Sequence, residues 1–99
     1  MKLVQFDFAY SGPFGAEMAA AMEGLARSIA EEPGLLWKIW TESEAGQEAG
    51  GIYLFADEES ARNYIAKHTE RLKGFGITAV NAKLFDVNLP LSRLSKAPL

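Results

Sequence analysis

One histidine, two tryptophans and three tyrosines are the side chains of this sequence best suited to proton transfer and ring stacking. His68 is the only one whose ordinary pKa lies near neutrality. It falls in register with Tyr64, Ile65 and Leu72, so it is expected to face a core. Two readings stay open for it. One is a general base, or an orienting donor, in an apolar pocket. The other is a core histidine hydrogen-bonded to a neighbour.

Trp37 and Trp40 are three apart in an extended run and therefore face opposite ways. One is expected to line a pocket and stack on a flat ligand, the other to pack at a subunit contact. Tyr53 and Tyr10 offer hydroxyls that serve a ligand or a structural partner equally well. Asp7 and Asn81 are polar groups inside strand-like segments. They need partners, which makes them candidates for a polar spot in a pocket or interface. Lys67 and Arg71 read as a solvated helix face.

Composition narrows the chemistry. Ten Lys plus Arg against thirteen Asp plus Glu leave a net charge of −3 over 99 residues. With a pI near 5.1 and no basic run, the chain is a poor ligand for phosphate backbones. It has no cysteine, hence no disulfide, thiolate nucleophile or Cys-held metal cluster. No apolar run approaches the ~20 residues of a membrane span. Nor does the start show the apolar core of a signal peptide, so a cytoplasmic location is expected. No P-loop or dinucleotide fingerprint occurs, and no cofactor is expected.

The elements that must position these residues follow from the hydrophobic pattern. Leu3 to Tyr10 alternates, with Val4, Phe6, Phe8 and Tyr10 on one side. From Ala16 to about Ala30, Met18, Met22, Leu25 and Ile29 form one helical stripe. Gly24 inside it suggests a close approach to the backbone. Leu35–Thr41 and Gly51–Ala56 read as strands joined by a long polar hairpin loop from Glu42 to Gly50. Asp57 caps a second helix that carries Ala61, Tyr64, Ile65, His68 and Leu72 inward, and Gly74 stops it. Ile77–Val87 alternates as a fourth strand. The tail from 88 to 99 has no clear periodicity.

The order βαββαβ implies an α+β, ferredoxin-like domain over residues 1–99, a four-stranded antiparallel sheet with both helices on one face. The second and third strands are apolar on both sides, so the uncovered face calls for a homodimer with sheets packed together. The alternative is that the tail folds over that face. Other activities of this architecture lack their residues. Ser11-Gly12-Pro13-Phe14-Gly15 has no phosphate-cradling arginine, and the aromatics of Gly51-Ile52-Tyr53-Leu54-Phe55 lack basic companions for RNA.

Several runs together resemble the YdhR family of small bacterial mono-oxygenases. They are Ser11–Gly15, Glu32-Pro33-Gly34-Leu35-Leu36-Trp37-Lys38-Ile39-Trp40-Thr41-Glu42, Glu48–Phe55, Lys67-His68-Thr69-Glu70-Arg71-Leu72 and Phe85-Asp86-Val87-Asn88. They cover almost the whole chain in order. The resemblance implies membership of the dimeric α/β-barrel group that includes antibiotic-biosynthesis mono-oxygenases. It implies a homodimer with one pocket per subunit between sheet and helices. Some members of that group oxidise polycyclic phenols with O₂ and neither metal nor flavin. The expected function is therefore cofactor-independent mono-oxygenation of a phenolic aromatic molecule, with His68 catalytic and Trp37, Trp40, Tyr53 and Asn81 at the substrate. Two alternatives are a non-catalytic module that binds an aromatic metabolite and a heme pocket with His68 as axial ligand.

Overall fold

Alternation along the first strand decides where the core sits. In the computed structural model, which describes residues 1–99, Val4 and Phe6 of β1 (Lys2–Ala9) are buried. The other elements are α1 (Gly15–Ala30), β2 (Leu35–Ser43), β3 (Glu48–Phe55), α2 (Glu58–Gly74), β4 (Val80–Asp86) and a short α3 (Leu89–Leu94). The strands pair in the order β2-β3-β1-β4, all antiparallel, which is the ferredoxin-like arrangement. Val4 lies opposite Tyr53 and Phe6 opposite Gly51, so these positions share the face that carries the helices.

Local signals start and stop the helices. Asp57 accepts the Ser60 N–H at 2.8 Å, and Glu58 and Glu59 occupy the first turn of α2, where negative charge complements the dipole. The helix runs through Gly74 and ends at Phe75. Gly76, at φ +85°, makes the left-handed turn, and the Ile77 N–H closes back on the Leu72 carbonyl at 2.9 Å. The residue before α1, Phe14, supplies no capping side chain. Glu42 of β2 accepts the Gly15 N–H at 2.8 Å instead, putting a carboxylate at the positive end of the helix.

Four sequence expectations change. The β2–β3 connection is short, because Ser43 pairs with Glu48 and only Glu44 to Gln47 lie outside the ladder. Gly24 permits no close approach, since a Cβ there would meet nothing within 4 Å. Alternation alone would put Leu35 on one face with Trp37 and Ile39, but β2 carries a bulge between Leu35 and Trp37 that turns Leu35 onto the helix face and leaves Trp37 and Ile39 on the other. The tail contains α3, with Asn88 accepting the Leu91 N–H and Pro90 in its first turn.

The face without helices carries Leu3, Trp37, Ile39, Ile52, Leu54 and Phe85. The Trp37 indole donates to the Pro98 carbonyl at 3.0 Å, so the tail returns to this face at one point. Ile39 and Phe85 nevertheless stay 52% and 44% exposed. Phe55 lies on the helix face at 0% exposure and belongs to the core.

Candidate functional site

An apolar cavity of about 50 Å³ free volume lies between the helix-bearing sheet face and the helices. Eleven of its fifteen lining residues are hydrophobic, so a ligand here meets mostly rings and aliphatic chains. Phe8 comes from β1 and Tyr10 from just after it, Met18, Met22 and Leu25 from α1, and Ala49, Gly50 and Tyr53 from β3. Lys38, Trp40 and Thr41 come from β2, and His68 and Leu72 from α2, with Phe75 and Ile77 just beyond it.

The inward stripe of α2 puts His68 at the bottom of this space, 4% exposed. Its ring stacks on Tyr64 at 5.1 Å between centroids and meets the edge of Phe6 at 5.2 Å. It makes no hydrogen bond to protein, and its Nδ1 is buried without a protein partner. A core histidine held by a neighbour's hydrogen bond is therefore not what the structure contains. Burial, reinforced by the positive charges of Lys38 and Arg71, pushes the imidazole pKa down to about 3. His68 is neutral throughout the physiological range. The expectation that it titrates near neutrality is corrected by the apolar wall around it.

Lys38 is the group that sequence reading missed. Its Nζ sits 3.4 Å from the Trp40 ring centroid and 4.6 Å from that of Tyr53, so the cation rests on two aromatic faces. No carboxylate lies within the 4.0 Å of an ion pair. Burial, then the charge of Arg71, lowers its pKa to about 7. A signal for it was present, since Lys38 is the one charge in Leu35–Thr41 and lies two residues from Trp40. That spacing puts both on one face.

Tyr53 is buried and its hydroxyl is pushed up to about 12 by burial. Tyr10, raised by burial and then by Glu42, donates to the Pro13 carbonyl at 3.0 Å. Arg71 is not a solvated side chain. Together with Lys67 it holds Glu32, whose carboxylate is 7% exposed, at 3.6 and 2.6 Å respectively. This pins the α1–β2 loop to α2 and keeps a guanidinium near the cavity.

Of the residues named from sequence, His68, Trp40 and Tyr53 come together on the cavity. Trp37 and Asn81 do not. Trp37, three residues from Trp40 in a regular stretch of β2, faces the opposite side of the sheet, and Asn81 pairs there with Asp7, donating to its carboxylate at 3.2 Å. Each strand polar group thus satisfies the other away from the cavity. No three His, Asp or Glu side chains converge as a metal site, and no helix is long and apolar enough to cross a membrane.

Known proteins share the sequence pattern and the fold of this chain. The family described as "Putative mono-oxygenase ydhR" matches residues 3–98. A putative antibiotic biosynthesis monooxygenase from Deinococcus radiodurans has a similar structure, with TM-score 0.59 and 15% identity over 89% of this chain and 93% of that one. SnoaB, a cofactor-independent oxygenase from Streptomyces nogalater crystallised as a mutant, gives TM-score 0.58 and 16% identity over 88% and 93%. At such identities these two show the fold alone. No curated protein matches the sequence. The family match spans nearly every residue of sheet, helices and cavity: the chain belongs to the ydhR family, whose activity class is mono-oxygenation.

Proposed function

We propose that this mono-oxygenase works without a cofactor on a phenolic aromatic compound, in the cavity beneath α2, as a homodimer of single-domain subunits. One observation carries the reading. The cavity is walled by Phe8, Trp40 and Tyr53 and includes a neutral, buried His68 with no protein hydrogen bond. Such walls favour a flat ring, and an imidazole of this kind has hydrogen-bonding capacity left for a hydroxyl.

With a naphthol as the representative substrate, the steps balance. The hydroxyl loses its proton, and the phenolate passes one electron to O₂, giving an aryloxyl radical and superoxide. These combine at the ring carbon opposite the oxygen. The peroxide takes up a proton, and loss of water with the ring C–H proton leaves a quinone. One O₂ is consumed, one oxygen atom stays in the product and the other leaves as water. His68 orients the hydroxyl, Trp40 and Tyr53 hold the ring, and the apolar wall excludes bulk water from the radical pair. A two-ring phenol exceeds the present free volume. Its admission uses the flexible Met18 and Met22 and the exposed Phe75 at the rim.

The dimer reading is supported by the exposed Ile39 and Phe85 on the sheet face that bears no helix. The oxygen electrode tests the activity. With a panel of naphthols, uptake should equal quinone formed, and catalase should return no oxygen because peroxide is not released. Saturable binding with no uptake would overturn the oxygenase and leave a binding module.

A further inference from the structure

We propose that Lys38 is the oxyanion anchor of this cavity, its ammonium group resting on Trp40 and Tyr53 and binding the ionised oxygen of an aromatic substrate that carries an acidic hydroxyl. The inference rests on the phenolic reading above and adds the residue that makes the substrate anionic.

Three observations converge on it. Lys38 lines the cavity and has no carboxylate partner, so its three N–H donors are not committed to an ion pair. Its position is built into the sheet. Gly51 lies opposite Trp40, and a Cβ there would come within 2.7 Å of Lys38 Cε and 3.0 Å of Tyr53 Cε1. The missing side chain opens the path along which the lysine stem crosses β3. The surroundings also lack negative charge. Facing Lys38 are Trp40, Tyr53, the neutral His68 and the guanidinium of Arg71, while Glu32 is held by Arg71 and Lys67. A phenolate supplies the missing charge.

The proton is accounted for. Burial leaves a large share of Lys38 as free amine near neutrality. The amine takes the hydroxyl proton: the O–H bond breaks, an N–H bond forms, and the electron pair stays on oxygen beside the new ammonium. His68, whose imidazolium is far less favourable here, orients the hydroxyl and does not carry the proton away.

The probe is para-nitrophenol, colourless as the phenol and yellow as the phenolate, titrated in slightly acidic buffer without turnover. Bound to the wild-type protein it should turn yellow. Lys38→Met should bind it without colour and lose phenolate affinity by about tenfold or more, the scale of one charge-assisted contact. Lys38→Arg should keep the colour, and Gly51→Ala, which displaces the stem, should weaken it. If Lys38→Met fails to fold, Gly51→Ala decides on the same readout. Equal colour in wild type and Lys38→Met, colourless binding to wild type, or no binding at all would each overturn the proposal. Yellow binding of para-nitrophenol together with no oxygen uptake on the naphthol panel would instead uphold Lys38 and overturn the oxygenase.

Discussion

Replacing Lys38 with methionine should stabilise the fold near neutrality and flatten its dependence on pH. Methionine keeps an unbranched stem of similar reach and removes the charge. Burial and Arg71 lower the lysine from its ordinary 10.5 to about 7. The folded value lies below the unfolded one, so across that window the unfolded chain binds the extra proton and stability rises with pH. Below the window the burial penalty is fully present. At about 1.36 kcal/mol for each tenfold change in proton affinity, its ceiling is roughly 5 kcal/mol. The faces of Trp40 and Tyr53 return about 1–2 kcal/mol of that. The wild-type protein should therefore gain about 1–1.5 kcal/mol between pH ~7 and ~9, and Lys38→Met should gain almost none. Other groups leave this window clear. His68, lowered to about 3, adds stability as pH rises from 3 to its ordinary 6.5 and is complete by neutrality. Tyr53, raised to about 12, loses its contribution only as pH climbs past the ordinary 10. Urea denaturation at both pH values, at one protein concentration, reads the midpoint shift directly. Parallel pH dependence in wild type and variant would refute a buried, weakly compensated ammonium.

Two further perturbations separate structure from chemistry. His68→Leu breaks no protein hydrogen bond, so stability should change by less than about 1 kcal/mol in a urea melt while phenol oxidation is lost; retained oxidation would remove His68 from the site. Ile39→Glu puts a charge on the helix-free face, and light scattering should show a species of about twice 10.8 kDa in wild type falling to monomer in the variant; a wild-type monomer would refute the dimer. Phe55→Glu cannot serve for that purpose, because Phe55 lies in the core and its replacement tests folding.

Local signals made much of this fold readable. β1 alternates cleanly, α2 announces itself with Asp57 and its acidic first turn, and the stripe Ala61, Tyr64, His68, Leu72 is buried as spaced. What depended on register was not readable. The bulge beside Leu36 reverses the face of Leu35 relative to Trp37, and no propensity announces it. Asn81 reached Asp7 through strand pairing, a long-range choice that residue type does not encode. α3, at six residues, is too short to show a period. In the site, His68 was placed correctly by its stripe, but its protonation depends on how deeply the fold buries it, and then on Lys38 and Arg71, which reach it from β2 and from one turn further along α2. Lys38 escaped notice because a lone lysine in a strand reads as a solvent-facing residue. Its spacing from Trp40 puts the two on one face, and the pairing of Trp40 with Gly51 adds the space that the lysine stem occupies.

The central claim is that one atom of O₂ enters a phenolic substrate in this cavity with no cofactor. Its most direct measurement is mass spectrometry of the product formed under heavy-isotope dioxygen, using protein stripped of bound metal and flavin. The account predicts a quinone carrying one heavy oxygen, with the second recovered in water, and loss of that product in Lys38→Met. Unlabelled product, two labelled oxygens, or turnover that appears only when metal or flavin is added back would contradict it.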